Sequence, residues 1–173
     1  MRNLRLKAIH PIQVQGTQDV EITGIQFDSR KVTKGNLFVA QKGTAVDGHQ
    51  FIDACITQGA AAIVCEDTTS ITQTGATIIQ VKSSDNAFGL LASCWYGNPS
   101  RQLKLVGVTG TNGKTTIATL LYHLVRALGH KAGLLSTVVN YVNDDAIAST
   151  HTTPDALALN GLLRQMADKG CEY

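Results

Sequence analysis

The sequence is poor in charge: 16% of its 173 residues are charged, and the formal net charge is +2. It contains no run of lysine or arginine, so a general nucleic-acid-binding surface is not expected. No stretch approaches the ~20 apolar residues of a membrane-spanning helix. The basic N-terminus lacks the apolar core of a signal peptide. These absences predict a protein without a nucleic-acid or membrane partner.

Cysteine is also scarce, and the four present, Cys55, Cys65, Cys94 and Cys171, form no C-x-x-C pair. Each lies in an apolar segment, which indicates buried thiols in a reducing cytoplasm rather than disulfides or zinc ligands. The histidines show no metal-ligand spacing. The sequence therefore predicts a cytoplasmic location.

Apolar residues make up 43% of the chain, enough for a buried core. The first hundred residues alternate short strands and helices. The predicted strands are Val20–Phe27, Leu37–Ala40, Ala61–Cys65 and Thr77–Val81. The predicted helices run from Asp47-Gly48 to Gly59 and from Ser83-Ser84-Asp85 to Tyr96. A Gly-Asn-Pro-Ser stretch at 97–100 predicts a domain boundary, with domains 1–100 and 101–173.

The second domain is predicted to be a βαβ unit, which favours a parallel sheet. Its elements are a strand Leu103–Thr109, a helix Lys114–Leu128 and a strand Ala132–Val139. The apolar face of the helix comprises Ile117, Leu120, Leu121, Leu124, Val125 and Leu128. A last helix is predicted with Thr153 as N-cap and Leu159, Leu162, Leu163 and Met166 on its face. The fold class is therefore α/β.

Between the strand and the helix lies a glycine-rich loop, with Gly107, Gly110 and Gly113 followed by Lys114, Thr115 and Thr116. Glycines let the backbone curl around a phosphate, and a helix N-terminus supplies N–H donors. Lysine provides a cation and threonine a Mg²⁺ ligand. The loop departs from the common G-x-x-x-x-G-K-[ST] pattern, because Val108 stands where the first glycine belongs. The alternative is a glycine turn before a core helix with Lys114 solvated.

The stretch Gly110-Thr111-Asn112-Gly113-Lys114-Thr115-Thr116 resembles the nucleotide signature of the Mur ligases, with the same variant spacing. Further stretches resemble the third-step ligases of that family in the same order along the chain. They are Phe27-Asp28-Ser29-Arg30, Lys34–Ala40, Asp47-Gly48-His49-Gln50-Phe51, Trp95–Ser100 and His151-Thr152-Thr153-Pro154. The resemblance implies an N-terminal UDP-MurNAc-binding domain, then the first part of a P-loop central domain with a parallel sheet.

The resemblance also implies the roles of individual residues. Gly110 to Thr116 (Gly110, Thr111, Asn112, Gly113, Lys114, Thr115 and Thr116) would bind ATP. Lys114 would act catalytically on the β- and γ-phosphates, and Thr115 would ligate Mg²⁺. The residues implied to contact the substrate are Phe27, Ser29, Thr44, Ala45, Val46, His151, Thr152 and Thr153. Spacing alone favours an ordinary turn for Asp28-Ser29-Arg30, and only the resemblance favours a substrate contact there. Thr153 is adequately explained as a helix cap, a role that is compatible with contacting a ligand.

The implied reaction is ATP-dependent addition of a third amino acid, meso-diaminopimelate or L-lysine, to UDP-MurNAc-L-Ala-D-Glu through an acyl phosphate. We expect the chain to be a fragment of a longer ligase, inactive alone, that lacks the family's C-terminal domain. The alternatives are the D-Ala-D-Ala-adding ligase of the same family, a generic P-loop NTPase or kinase, and a non-catalytic nucleotide-binding module.

Overall fold

The computed structural model of the protein describes residues 2–3, 6–17, 19–43, 46–148 and 154–173. It divides into two compact units, unit 1 (residues 1–95) and unit 2 (residues 96–173). The division lies a few residues before the boundary predicted at residue 100. Within the described residues, no helix is both long and apolar enough to cross a membrane.

Unit 1 is built on a five-stranded sheet of order β2-β7-β6-β5-β4. Strands β4 to β7 are parallel, and β2 pairs antiparallel at one edge. A separate antiparallel pair joins β1 and β3. The strands are β1 (Arg2–Asn3), β2 (Gln13–Gln15), β3 (Glu21–Ile22), β4 (Gly24–Gln26), β5 (Asn36–Val39), β6 (Ala62–Cys65) and β7 (Thr77–Gln80).

The single strand predicted over Val20–Phe27 is wrong, because β3 and β4 belong to different sheets. Thr23 separates them: its N–H donates to the Gly35 carbonyl at 2.9 Å, and its hydroxyl donates to the Lys34 carbonyl at 3.2 Å. These bonds turn the chain between the two sheets. The predicted strands over β5, β6 and β7 are confirmed to within a residue or so.

The helices of unit 1 cover both faces of its five-stranded sheet. Helix α1 (Ile52–Thr57) follows a 3₁₀ turn at Gly48–Phe51, so the predicted helix begins with tighter winding than expected. Helix α2 (Ser84–Trp95) contacts β6. Every residue of β5 and β6 is buried, as expected for parallel strands between two layers of helices. One side of the core is formed by Phe38, Ala40, Ile52, Cys55, Ile56, Ile63, Cys65 and Ile78.

The thiols of Cys55, Cys65 and Cys171 are buried and form no disulfide, as the sequence predicts. Burial raises the pKa of Cys55 and of Cys65 to about 11. It also raises the pKa of Cys171. Cys94 is half-buried.

Unit 2 contains two long helices and a small antiparallel sheet of order β10-β9-β8. The elements are α3 (Lys114–Ala127), β8 (Gly133–Leu134), β9 (Val139–Val142), β10 (Asp145–Ala148) and α4 (Ala156–Asp168). The hairpin β9–β10 turns at Asn143-Asp144, with Asn143 at φ 55°. The sequence interpretation missed this hairpin, although asparagine in a two-residue loop is a known hairpin signal.

The predicted strand Leu103–Thr109 does not form, and of the predicted strand Ala132–Val139 only β8 and the first residue of β9 do. The strand pairs of unit 2 are antiparallel, so the parallel sheet predicted for this domain is not formed by the described residues, and three isolated backbone bonds link the two segments to the last residues of the chain. The N–H of Lys104 donates to Glu172 (2.8 Å), that of Glu172 to Lys131 (2.8 Å), and that of Gly133 to Tyr173 (2.9 Å). Within the described residues, no strand pairs with 105–109, so that segment lacks the ladder that defines a strand.

Helix α3 forms as predicted, but its predicted apolar face is largely exposed. The exposed side chains are Ile117, Leu120, Leu121, Leu124 and Leu128. The side that packs holds Tyr122, whose ring stacks on Tyr141 at 5.1 Å and whose hydroxyl donates to the Asn143 carbonyl at 2.7 Å. The hairpin therefore covers one side of α3 and leaves the leucine-rich side open.

Helix α4 packs the predicted face, with Leu163 and Met166 buried beside Leu103, Val142 and Cys171. Its predicted N-cap is wrong. Asp155 occupies that position, and its carboxylate accepts from the N–H of Ala158 at 2.9 Å. Thr153 lies outside the described residues. Aspartate caps a helix at least as well as threonine, so the cap falls two positions later than expected.

Candidate nucleotide-binding sites

The glycine-rich loop of unit 2 leads directly into the N-terminus of α3. Gly110 and Gly113 adopt φ values of 148° and 78°, a backbone conformation that favours glycine. Gly113 occupies the N-cap position, and its carbonyl accepts the N–H of Ile117 at 2.9 Å. Because glycine has no side chain to cap the helix, the amides of the first turn are left for another acceptor. An anion such as phosphate fits that requirement.

Lys114 folds back over the loop. Its ammonium donates to the carbonyl of Thr111 at 3.2 Å and, more closely, to that of Gly110. Thr115 is half-buried in the first turn of α3, while Thr111, Asn112 and Thr116 are exposed. The structure thus brings together a lysine ammonium, a threonine hydroxyl and the first-turn amides at one helix end. This donor set suits a polyphosphate and a hard cation such as Mg²⁺.

A cavity of about 440 Å³ lies beside this loop, between the backbone segments 103–108 and 132–137. Its lining is mostly aliphatic and aromatic, with Lys104 and Lys114 as the charged residues. Because most of this lining is apolar, the loop and helix end are the better candidate for holding phosphate groups. Within the described residues, no group of three or more histidine, cysteine, aspartate or glutamate side chains could hold a metal ion.

Unit 1 gathers its candidate residues at the carboxyl ends of the parallel strands. Residues 27–30 follow β4, 41–48 follow β5, Glu66 and Asp67 follow β6, and 82–85 follow β7. In open parallel sheets, ligands bind at this edge. The sheet topology therefore places the predicted residues Phe27, Ser29 and Val46 at one edge of one sheet.

Phe27 is partly exposed, and its ring centroid lies 5.1 Å from that of Phe88 on α2. Ser29 begins a 3₁₀ turn capped by Asp28, whose carboxylate accepts from the N–H of Arg30 at 3.1 Å. The Arg30 guanidinium makes two further bonds to that carboxylate, each 2.9 Å long. These bonds hold the pKa of Asp28 at about 2. The ordinary turn considered from the sequence is therefore present, with Ser29 at its start.

The segment after β5 is a closed loop. Lys42 and Asp47 form an antiparallel bridge, the N–H of Gly43 donates to Val46 at 3.1 Å, and that of Gly48 donates to Gln41 at 2.8 Å. A Cβ on Gly48 would lie 2.8 Å from the Gln41 carbonyl oxygen, so the close approach requires glycine. Val46 is exposed at the loop tip. The predicted residues Thr44 and Ala45 lie outside the described residues, as do His151, Thr152 and Thr153.

Two polar residues at this edge were not predicted. His49 is buried and contacts Asp47 and the amide of Glu66, at 2.6 and 2.9 Å. Glu66 accepts from the N–H and the hydroxyl of Ser84, each at 2.9 Å, and lies 3.3 Å from Lys42. Several interactions lower the pKa of the Glu66 carboxyl, and the hydrogen bond from the Ser84 amide contributes the most. The sequence analysis used the Asp47-Gly48-His49 run only as part of the family resemblance. It could not predict the contacts of His49, because sequence spacing does not show which residues a buried histidine will contact.

Together these features are those of an α/β protein whose glycine-rich loop has the donor set that suits a phosphate group. Residues 21–96 match the family described as "Mur ligase family, catalytic domain", and residues 108–173 match the "Mur ligase middle domain". The two matches follow each other along the chain, one in each unit. The chain belongs to the Mur ligase family.

Among its relatives are two proteins named UDP-N-acetylmuramoyl-L-alanyl-D-glutamate–2,6-diaminopimelate ligase. The one from Parabacteroides distasonis is 58% identical over 96% of this chain and 34% of the relative. The one from Bacteroides thetaiotaomicron is 57% identical over 99% of this chain and 36% of the relative. The chain thus spans about a third of the length of these relatives.

Solved structures agree with this assignment. A structure of a UDP-N-acetylmuramoyl-L-alanyl-D-glutamate–2,6-diaminopimelate ligase superposes with a TM-score of 0.73 at 26% identity, covering 98% of this chain and 34% of that one. A MurF ligase from Thermotoga maritima in complex with ADP gives a TM-score of 0.54 at 30% identity, covering 85% of this chain and 30% of that one. The predicted α/β fold class is confirmed.

Proposed function

We propose that this chain provides the uridine-nucleotide site and the ATP loop of a ligase that adds 2,6-diaminopimelate to UDP-MurNAc-L-Ala-D-Glu. The observation that carries the proposal is the 58% identity, over 96% of the chain, to a relative named for that reaction. The glycine-rich loop at the N-terminus of α3 supports it independently. A generic P-loop NTPase would account for the loop but not for unit 1.

In the proposed reaction the D-glutamyl carboxylate of the substrate attacks the γ-phosphorus of ATP, which releases ADP. The amine of the diamino acid then attacks the acyl carbon, and phosphate leaves as the amide bond forms. Phosphorylation is needed because a carboxylate is a poor electrophile. The protein has to position the reactants and stabilise the charge that develops on the transferred group.

The residues of the glycine-rich loop have distinct roles in this proposal. The first-turn amides of α3 and the backbone from Gly110 to Gly113 hold the phosphates. Lys114 leaves the carbonyls of Gly110 and Thr111 and pairs with the β- and γ-phosphate oxygens, where it stabilises the transition state. The Thr115 hydroxyl binds Mg²⁺, which neutralises phosphate charge when bound.

The sheet edge of unit 1 binds the uridine nucleotide in this proposal. Phe27 and Ser29 contact it from one side, and the loop carrying Thr44, Ala45 and Val46 from another. His151, Thr152 and Thr153 contact the muramoyl-peptide part. A cytoplasmic location is consistent with the unlinked, buried thiols of unit 1.

Binding to the 173-residue chain tests the proposal. We expect UDP-MurNAc-L-Ala-D-Glu to bind more tightly than ATP with Mg²⁺, because the unit 1 site is closed by hydrogen bonds while the glycine-rich loop is exposed. Titration calorimetry with each ligand measures the two affinities. If the chain binds ATP with Mg²⁺ but does not bind the UDP-linked substrate, the result would favour the generic NTPase instead.

A further inference from the structure

We propose that His49 is a positioning residue for the uridine-nucleotide site, because its imidazole ties the closed loop 42–47 to the carboxyl end of β6. The inference rests on the proposed function, since it concerns the loop that carries Thr44, Ala45 and Val46. His49 itself is only 8% exposed, so it acts through the loop rather than by touching a ligand.

The hydrogen bonds of His49 fix its tautomer. Its Nε2 accepts the backbone N–H of Glu66 at 2.9 Å, and that of Asp67 lies at 3.4 Å. An amide N–H can only donate, so Nε2 carries no hydrogen. The hydrogen is therefore on Nδ1, which donates to the carboxylate of Asp47 at 2.6 Å. Both nitrogens of a neutral imidazole are satisfied, one by the loop and one by β6.

The same loop is tied to the start of α2 by two longer side chains. Lys42 lies 3.3 Å from the Glu66 carboxylate, which also binds Ser84. The Gln41 amide donates to Asp85 at 2.7 Å. His49 differs from these links because it is buried, and because its short, rigid ring contacts the Asp47 carboxylate on one side and the backbone amide of Glu66 on the other.

Loss of the imidazole would affect both ends of the link. The amide of Glu66 would be left without its acceptor, and the Asp47 carboxylate would lose one of its two bonds from His49. The loop would then be held by the bridge between Lys42 and Asp47, by the backbone bonds of Gly43 and Gly48, and by the side-chain contacts of Gln41 and Lys42, without a buried link to β6. A ligand that contacts Val46 would then bind a less constrained segment, which weakens affinity.

Three substitutions separate the two contacts. His49→Ala removes both. His49→Asn can place its amide nitrogen near the position of Nδ1 and keep the bond to Asp47. His49→Gln can place its carbonyl oxygen near the position of Nε2 and keep the bond from Glu66. Ile56→Val, at a buried position of α1 itself, serves as a matched control for a reduced buried side chain.

The dissociation constant of UDP-MurNAc-L-Ala-D-Glu is measured for each variant of the full chain. We expect His49→Ala to raise it about tenfold or more, the Asn and Gln variants to raise it less, and Ile56→Val to leave it unchanged. Partial rescue by the two conservative variants distinguishes positioning from mere loss of packing. Equal affinities for wild type and all His49 variants, or an equal loss in Ile56→Val, would overturn the proposal.

Two measurements without ligand separate this inference from the proposed function. Nitrogen-15 NMR of the imidazole should show a protonated Nδ1, and hydrogen exchange at Gly43 and Gly48 should quicken about tenfold in His49→Ala while β6 stays protected. If wild type does not bind the UDP-linked substrate, the proposed function fails, and exchange still decides whether His49 holds the loop. If His49→Ala does not fold, the same exchange measurement is made on the Asn and Gln variants. Wild-type exchange rates at Gly43 and Gly48 in both variants would refute the inference.

Discussion

Units 1 and 2 differ in how completely their apolar residues are buried. In β5 and β6 of unit 1, Leu37, Phe38 and Ile63 are at most 1% exposed. In unit 2, Val106 of the glycine-rich segment is 68% exposed and Leu120 of α3 is 62% exposed. The sequence patterns of both regions predict burial. The difference shows that an apolar run becomes a buried element only where partners pack on its sides.

The candidate sites follow the same difference. At the sheet edge of unit 1, polar side chains such as His49 and Glu66 bond to neighbouring strands and helices. In the glycine-rich loop, Lys114 bonds to the loop's own carbonyls. Under the proposed function, the unit 1 site is organised before a ligand arrives, whereas the glycine-rich loop has to exchange its internal bonds for bonds to phosphate.

The largest expected difference between the two units is in the loss of stability when one large apolar side chain in each is truncated to alanine. Phe38→Ala should destabilise unit 1 by about 3–5 kcal/mol, because it leaves a cavity between packed layers. Leu120→Ala should change stability by less than about 0.5 kcal/mol, since the leucine is largely exposed and alanine favours helix. Urea unfolding followed by the single tryptophan, Trp95, reports unit 1, and amide exchange of α3 reports unit 2.

The two truncations also control for each other, because each removes a large apolar side chain from a regular element. A substantial loss of α3 protection in Leu120→Ala would contradict the comparison. It would mean that the exposed side of α3 is covered in solution by something the structure does not show.

Much of unit 1 could be predicted because its signals are local. The run over β6 is apolar at every position and the runs over β5 and β7 are mostly apolar, which is typical of strands buried on both faces. Asp47 and Gly59 mark the ends of the turn and helix between β5 and β6, as a cap and as a glycine at φ 93°. What was missed depends on long-range pairing: Thr23 divides two strands because it bonds to residues 34 and 35.

In unit 2, the prediction succeeded for α3 and α4 and failed for the strands. Helix periodicity is a property of the segment itself, so the bounds of α3 were close to those observed. A strand needs a neighbour, and residues 105–109 have none among the described residues. The position of the glycine-rich loop before α3 could be predicted. The hydrogen bonds from Lys114 to the carbonyls of Gly110 and Thr111 could not, because they depend on the conformation of the loop.

A smaller effect is expected at Lys114. Lys114→Met should weaken binding of ATP with Mg²⁺ by about ten- to a hundredfold, as expected when a charge-assisted contact is lost. It should leave the stability of unit 2 nearly unchanged, because the ammonium bonds only to the exposed loop. Titration calorimetry and thermal unfolding measure the two effects.

Lys131→Met is the matched control for that substitution, since Lys131 is an exposed lysine of the same unit whose ammonium bonds to Lys169. Its ATP affinity should equal that of wild type. An equal loss in both variants would show that overall positive charge, rather than the position of Lys114, attracts the nucleotide.

The helix cap of α4 provides a contrast within unit 2. Asp155→Ala should destabilise α4 by about 1 kcal/mol, because the N–H of Ala158 loses its acceptor. Thr153→Ala should change its stability much less, since Asp155 already holds the cap position. Hydrogen exchange across α4 measures both, and a larger effect at Thr153 would restore the cap predicted from the sequence.

The smallest expected effect is the pH response of Asp28 in unit 1. The bonds from Arg30 hold the pKa of Asp28 at about 2, below its usual 3.8. A lowered pKa means that the ionised carboxylate stabilises the folded state above about pH 4. That contribution is lost as the pH falls through about 2. Because the pair is exposed and water screens it, the change in unfolding free energy should be slight.

Carbon-13 NMR of the carboxyl group should show the titration midpoint directly. Arg30→Ala should move that midpoint upward toward the usual value, and an unchanged midpoint would mean that the amide bond at the turn, not the guanidinium, lowers the pKa.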